Sequence, residues 1–513
     1  MLNTLCSIVK KREVLTIILL YSIVVIITSW HHEIWRDEMR ALSQAVDNQS
    51  VMEILKNKQA EGHPALWYVM LYYGYQLLHK PQILKILSVA VAILAMYIFV
   101  SQSPFSWPLK ALLVFGYFPV YQYSVISRNY GLSMLLLFGF CCLYPKRFEK
   151  IVPIAIILVL LAHTNAYATV IAISIILSLM IEAVVRKKEL VNMNVSGIKL
   201  LFAFSLAILG VVLFVLYMHP FHSRMAGIFS GSKDFFQIKS QLRPIFLPGW
   251  YFSEALGLRG GAFASVVIWT VFVYLLRKPF IFLIFFLSVV GMGLFHVRFS
   301  SPMYMWHQGL LIILTVAVFW LDSLESRTQD YPGLMGHLIN RLSTSMNLFI
   351  VVLAVMQVCI AYSAVRDEIF HRDFSSSKSF GNLIRGRSEF EKAIIVGEPD
   401  FNIESLPYYV DNQIYMARER RFGKYVDWGA GKVGLSLNEL LKTAIMLKNE
   451  YDRPILLTIG HRLSDQGPYE IKYSYNSIFT YDSDSLREFR KSTTKVASFR
   501  QAKEERYDVF LLK

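Results

Sequence analysis

Charge is scarce in this chain: Asp, Glu, Lys and Arg make up 17% of its 513 residues, against roughly 25% in an average soluble protein. That deficit argues against a conventional water-soluble enzyme. Cysteine is scarcer still, with four residues, Cys6, Cys141, Cys142 and Cys359, all within or beside apolar runs. Neither a disulfide framework nor a cysteine zinc site is indicated. The sequence also has no His-x-x-x-His, no Cys-x-x-Cys and no serine elbow, so the usual signatures of metalloproteases and serine hydrolases are missing.

Apolar residues are abundant, at 55% of the chain, with aromatics at 14%. They gather into about ten runs of roughly 15 or more mostly uncharged residues before residue 364, close to the span a bilayer demands. The formal net charge of +15 is read first as a topology signal, because cytoplasmic loops of membrane proteins collect Lys and Arg. No nucleic-acid partner is expected. Glu13 to Trp30 follows the basic triplet Lys10, Lys11, Arg12 and has no small-x-small cleavage site after it, which predicts a retained first helix.

With that triplet in the cytoplasm, the crossings alternate over Ile83–Val100, Leu109–Tyr123, Tyr130–Tyr144, Ile151–Leu161, Ala168–Val185, Ile198–Met218, Ala262–Leu276, Phe280–Phe295, Leu310–Leu321 and Met346–Ala364. The aromatic run His63–Leu78 is assigned to the outer interface, where such rings favour the headgroup layer. This choice puts Lys146 and Arg147, Arg186 to Lys188, Arg277 and Lys278 all inside. The fold predicted is a polytopic α-helical membrane protein of about eleven transmembrane helices over residues 1–364, with an external loop at 31–82. Residues 365–513 are soluble in character and are placed outside the cytoplasm. Short β-branched or aromatic runs there (Ala393–Val396, Ile455–Ile459, Ser477–Tyr481, Tyr507–Leu512) alternate with helical patterns such as Leu435–Glu450, predicting a C-terminal extracytoplasmic α/β domain. Gly429–Val433 lacks the first glycine and the Ser or Thr of a phosphate loop, so ATP binding is not expected.

Ionisable residues concentrate on the external face: Asp37, Glu38, Glu61, His63, Arg128, His163, His219, His222, Arg224, Arg298 and His307. Charges at a membrane edge are costly and usually face a partner or a wet cavity, although any one of them can be a snorkelling anchor. Nucleotide-activated substrates are not normally available outside, so a transferase there would draw on a donor held by the lipid itself. A polyprenyl phosphate sugar meets that need. A carboxylate can take a proton from an acceptor hydroxyl while an arginine neutralises the departing phosphate.

These residues resemble the motifs of the GT-C superfamily of integral membrane glycosyltransferases, such as protein O-mannosyltransferases and the aminoarabinose transferases of lipid A. An acidic pair in the first external loop is matched by Trp35-Arg36-Asp37-Glu38. A His-Pro-Pro-Leu-like segment is matched by Glu61-Gly62-His63-Pro64-Ala65-Leu66-Trp67-Tyr68, with Ala65 in place of the second proline. An arginine at the outer start of a later helix is matched by Ser127-Arg128-Asn129-Tyr130. Order and spacing agree over residues 10–320, and Phe115–Pro119 with Trp306–Gly309 resembles a bacterial branch of the superfamily.

The resemblance implies that Asp37 is the catalytic base or positions the acceptor, and that Glu38 orients or binds the acceptor. It further implies that Arg128 contacts the donor phosphate and that His63 hydrogen-bonds the donor or caps the interfacial helix. By their place on the external face, Tyr130 and Arg298 are candidates to join Arg128 at the phosphate, and Glu61, His63, His163 and His307 are candidates to contact substrate. No essential metal or other cofactor is implied. The expected partners are a polyprenyl phosphate sugar, the bilayer of a bacterial inner membrane, and a glycan, lipid or protein acceptor on its outer face. The external domain would cover the cavity, with Tyr408, Tyr409, Asp411 and the run Arg418–Arg421 facing a glycan or an anionic chain. A transporter or flippase for a lipid-linked glycan, or a non-catalytic scaffold, remains the alternative reading, though the internal repeats and discontinuous mid-membrane helices of transporters are not apparent.

Overall fold

The computed structural model describes residues 2–57, 63–218, 238–299, 303–326, 328–329, 331–370, 374–427, 434–467, 469–473 and 477–513. Glu61, His219, His222, Arg224 and Gly429–Val433 lie outside the described residues. Helices α1 (Leu2–His31), α2 (Arg36–Val46), α3 (Val51–Asn57) and α4 (Leu66–Leu78) precede α5 (Ile83–Gln102), α6 (Trp107–Val114), α7 (Tyr130–Leu143) and α8 (Ile151–Ala162). Next come α9 (Ala166–Val185), α10 (Lys187–Asn192), α11 (Gly197–Met218), α12 (Ile238–Phe246), α13 (Gly249–Phe252), α14 (Gly261–Leu275), α15 (Pro279–Phe299), α16 (Met305–Leu324) and α17 (Gly333–Phe370). Among the described residues, seven helices are long and apolar enough to cross a bilayer, in α1, α5, α9, α11, α15, α16 and α17. Helices α7, α8 and α14 are shorter and equally apolar.

The predicted crossing Leu109–Tyr123 is not one helix. Helix α6 stops at Val114 and a π-helical turn, Phe118–Gln122, follows it. Pro119 has no N–H to give to the carbonyl one turn back and its ring crowds that turn, so the helix breaks there. The displaced ladder is closed by Tyr123 N–H donating to the Phe118 carbonyl at 2.8 Å, and the Pro119 carbonyl accepts from Tyr21 Oη at 2.7 Å. Gly116 lets α17 approach closely, because a Cβ there would lie 3.2 Å from Gln357 Cβ.

Polar contacts sort the helix ends. Arg147 bonds to Glu182 at 2.8 and 2.6 Å and to Glu325 at 2.8 Å, and Arg186 pairs with Glu182 at 3.1 Å. Arg277 and Lys278 both pair with Asp322, at 2.7 and 3.2 Å. These basic residues therefore share the end of the bundle where α7, α9 and α16 finish. The other ends of α7 and α16, with 14 and 20 residues, lead to Arg128 and Trp306, roughly 21 and 30 Å away at the rise of an α-helix.

Beyond α17, which ends at Phe370, lies the α/β region. It contains α18 (Ser377–Arg385), α19 (Leu437–Tyr451) and α20 (Ser483–Ser492). Its strands are β1 (Ile394–Glu398), β2 (Ile414–Met416), β3 (Arg421–Phe422), β4 (Gly434–Ser436), β5 (Ile455–Ile459), β6 (Glu470–Lys472), β7 (Ile478–Thr480), β8 (Thr493–Phe499) and β9 (Tyr507–Leu512). The main sheet has the order β3-β2-β1-β5-β9-β8, and β4-β7-β6 form a smaller one. Strand β1 is parallel to both neighbours, with Ile395 opposite Ile414 and Ile394 opposite Ile455. Strands β1 and β5 are buried at every residue, as a parallel pair covered on both faces should be.

Candidate active site

The acidic pair opens α2. Trp35 is extended, and its carbonyl accepts the N–H groups of Glu38 and Met39 at 3.1 Å each. Glu38 folds back to accept the Trp35 N–H at 3.2 Å, satisfying a donor that the helix start leaves unpaired. Its other oxygen accepts the Ser127 N–H at 2.6 Å. Glu38 thereby joins the start of α2 to the loop that carries Arg128.

His32 completes this buried arrangement. Its Nε2 lies 2.9 Å from Glu38 and its Nδ1 3.0 Å from Glu368 at the end of α17, while Tyr121 Oη donates to Glu368 at 2.5 Å. Burial disfavours charge on the imidazole, but the Glu38 and Glu368 carboxylates outweigh it and push His32 up to about 9. The ring bridges two carboxylates, with the side chains of His32 and Glu38 both 0% exposed.

One residue earlier on the helix, Asp37 faces a different way, as a rotation of about 100° per residue requires. Its carboxylate lies 2.7 Å from Arg128 Nη1 and 3.6 Å from Arg36 Nε. The side chain keeps 31% of its surface exposed, against 12% for Arg128. Burial pushes the Asp37 carboxyl up, and the positive charges of Arg128, Arg36, His63 and Arg40 overcome it, so the group lies below its ordinary value. Arg128 Nη2 is 3.4 Å from His63 Nε2. The guanidinium sits 5.7 Å from the Trp306 ring centroid and 5.8 Å from that of Tyr130.

The other sequence-predicted residues divide. Tyr130 is buried, stacked on Tyr123 with centroids 5.6 Å apart, and lies 5.8 Å from the His307 ring. His307 also meets Tyr167 at 4.6 Å, so both belong to an aromatic layer behind Arg128. His163 turns instead toward α11, with Nε2 3.1 Å from the Gly210 carbonyl, and its neighbour Thr164 accepts from Asn129 Nδ2 at 2.6 Å. Arg298 lies in the last turn of α15 with its guanidinium 5.2 Å from the Phe299 ring centroid. Arg418 departs from the surface role expected of it: it is 2% exposed and pairs with Glu398 at 2.7 Å and Asp400 at 3.3 Å. The domain's own buried carboxylates hold it inside.

Arg128 also lines a cavity of about 250 Å³ between the bundle and the α/β region. Trp35, Tyr117, Tyr121, Gln122 and Trp306 supply its bundle wall, and Phe374, Lys503 and Glu504 its other wall. Lys503 and Glu504 carry no local sequence signal, because their place is set only by tertiary structure. His32 and Glu368 were legible only as ionisable residues at the ends of apolar runs. The α/β region grips α2 directly: Arg40 bonds to Glu404 and to the Val426 carbonyl, both at 2.6 Å, and Glu505 accepts the Arg36 N–H at 2.5 Å.

Fold and site together define a polytopic helical membrane protein with an acid–guanidinium pair beside a cavity where the bundle meets an α/β region. No family model matches the sequence, and no curated protein does. Among solved structures the chain is similar to ArnT from Cupriavidus metallidurans bound to undecaprenyl phosphate, with TM-score 0.47 and 12% identity over 97% of each chain. The apo-state crystal structure of ArnT gives TM-score 0.47 and 11% identity over 100% of this chain and 98% of that one.

Proposed function

We propose that this chain is a GT-C-type glycosyltransferase that moves a sugar from a polyprenyl phosphate carrier to a lipid, glycan or protein acceptor at the outer face of a bacterial inner membrane. The observation that carries the reading is the Asp37–Arg128 pair, 2.7 Å apart, with the arginine forming a wall of the cavity. Both residues stand in motifs that resemble those of the superfamily. The outward orientation rests on the basic residues Arg147, Arg186, Arg277 and Lys278 gathering at the opposite end of the bundle.

In this reading the carrier phosphate engages Arg128, whose planar fork suits a phosphate, and the sugar enters the cavity. The acceptor oxygen forms its bond to the anomeric carbon from the opposite side, with inversion. The bond from that carbon to the phosphate oxygen breaks, its electron pair leaves with the phosphate, and the hydroxyl proton passes to Asp37. Arg128 depresses Asp37 while the two are paired. Once the phosphate draws the guanidinium away, the carboxylate becomes the stronger base at the moment it is needed.

Glu38 is assigned a positioning role in place of acceptor contact, because its oxygens are taken by His32, Trp35 and Ser127. His163 is left outside the site. The decisive experiment is Asp37→Asn in purified protein given radiolabelled polyprenyl phosphate sugar: transfer should fall by about 10²–10⁴-fold, the usual worth of a general base. Undiminished transfer by a folded variant removes the proposed base. Arg128 supplies the positive charge at the phosphate, so transfer is expected to survive excess chelator. Its complete loss on chelation, restored by a divalent ion, would overturn that.

A further inference from the structure

The loop between β8 and β9 reaches the site in two directions. Lys503 and Glu504 line the cavity, and both side chains are exposed. Glu505 turns the other way and is buried, accepting the Arg36 N–H at the start of α2 at 2.5 Å and Ser405 Oγ at 2.6 Å. The loop backbone is fixed as well, since Glu504 N–H donates to the Phe374 carbonyl at 3.1 Å and Arg506 Nη2 donates to the Lys503 carbonyl at 3.0 Å. The backbone that carries Lys503 and Glu504 is thus held at a set position relative to the helix that bears Asp37. Trp35 and Trp306 form part of the same cavity, their ring centroids 6.5 Å apart.

We propose that the β8–β9 loop is the element that selects the donor sugar: Lys503 and Glu504 hydrogen-bond the hydroxyls of one uncharged sugar ring held against Trp35 and Trp306. The inference rests on the glycosyltransferase reading above. The cavity, at about 250 Å³, lies just below the roughly 300–1,000 Å³ of pockets for larger ligands, which suits one ring better than a chain of them. Its charges favour a neutral guest. Arg128 is reserved for the phosphate, Glu368 is balanced by His32 at 3.0 Å, Asp367 is paired with Arg366 at 3.1 Å, and Lys503 and Glu504 bring one charge of each sign to the lining. A hydroxyl can donate to the Glu504 carboxylate and accept from the Lys503 ammonium, whereas a sugar acid would set a second carboxylate beside Glu504.

The test uses the full chain in lipid nanodiscs and tryptophan fluorescence, with bare polyprenyl phosphate and polyprenyl phosphate bearing glucose, mannose, N-acetylglucosamine or glucuronic acid as probes. At least one neutral-sugar carrier should bind about tenfold more tightly than the bare lipid, the worth of one or two new hydrogen bonds. The glucuronic acid carrier should show no such advantage. The double variant Lys503→Ala with Glu504→Ala should erase the sugar's advantage, and Arg128→Ala should weaken binding of the bare lipid itself. If the bare lipid binds and responds to Arg128→Ala, but the sugar's advantage is absent or survives the loop variant, the selectivity proposal fails and the transferase reading stands. If the bare lipid does not bind the wild-type protein at all, both fail together.

Discussion

At the scale of single residues, two neighbours in one motif do different work because a helix turns them apart. Asp37 meets Arg128 at 2.7 Å and keeps 31% of its side chain exposed, whereas Glu38 is 0% exposed. A buried carboxylate is costly unless it is paired and bonded, and Glu38 meets that condition through His32 and two backbone N–H groups. The pairing makes a pH prediction. His32 is raised from 6.5 to about 9 in the folded protein, so its contribution to stability is fully present below pH 6.5 and is lost as pH rises through about 9. The thermal unfolding midpoint of the wild type should therefore drop between pH 7 and 10, and His32→Gln should remove much of that drop while lowering the midpoint at pH 7. A variant whose alkaline decline matches the wild type would show that the imidazolium is not what holds Glu38.

At the scale of elements, α2 is a short helix held on several sides. Its apolar face, including Met39 and Leu42, packs on Trp67 and Leu71 of α4. Its polar face is gripped by the α/β region through Arg40, whose side chain is 11% exposed, and Glu404, 1% exposed. Removing one partner of such a pair strands the other charge, at about 3–5 kcal/mol. Arg40→Ala should destabilise the folded protein by about that much in chemical unfolding, and the double change with Glu404→Gln should cost less than Arg40→Ala alone. A double cost equal to the sum of the Arg40→Ala and Glu404→Gln costs would mean that the pair is not coupled. This grip was not legible in the sequence, since its partners are more than three hundred residues apart. The long apolar helices were legible, because the bilayer sets their length and composition. Strands β5 and β9 were legible at their observed bounds, and β1 nearly so, because buried strands read as unbroken apolar runs. Strands of two or three residues, such as β2 and β3, have no period to detect, and β8 hid behind Lys495 and Ser498. The broken α6 carried its warning in Pro119, which the apolar pattern around it outweighed. Within the site, the Asp37 and Arg128 motifs were visible, while the opposed directions of Asp37 and Glu38 and the arrival of Lys503 and Glu504 needed the tertiary structure.

At the scale of the whole molecule, the two ends of the bundle and the α/β region carry charge in different ways. The basic end pairs its buried carboxylates, Glu182 and Asp322, with Arg and Lys, whereas the α/β region buries Glu505 against serine hydroxyls. Burial pushes Glu505 up to about 7, against hydrogen bonds from Ser375 and Ser405 and the charge of Arg36. Burial likewise raises Glu398 to about 7, against the opposing pull of Arg418. Each starts from 4.5, so the stability each contributes is fully present below that pH and is lost as pH rises through about 7. Asp508 acts in the other direction: its folded-state value is lowered to about 2, chiefly by Arg500, Ser498 and Lys495 against burial, so its contribution is lost only as pH falls toward that value. The α/β region should thus be more stable near pH 5 than near pH 8. Glu505→Gln preserves an oxygen for the Arg36 N–H and cannot ionise, so it should flatten the decline between pH 4.5 and 7 and raise the unfolding midpoint at pH 8. Because Glu505 also bonds the first N–H of α2, the same variant should leave hydrogen–deuterium exchange at residues 35–40 nearly unchanged with pH, where the wild type exchanges faster above pH 7 once intrinsic rates are corrected. A wild-type midpoint that rises from pH 5 to 8, or a Glu505→Gln slope equal to the wild type, would remove this residue as the link between proton binding in the α/β region and the helix that carries Asp37.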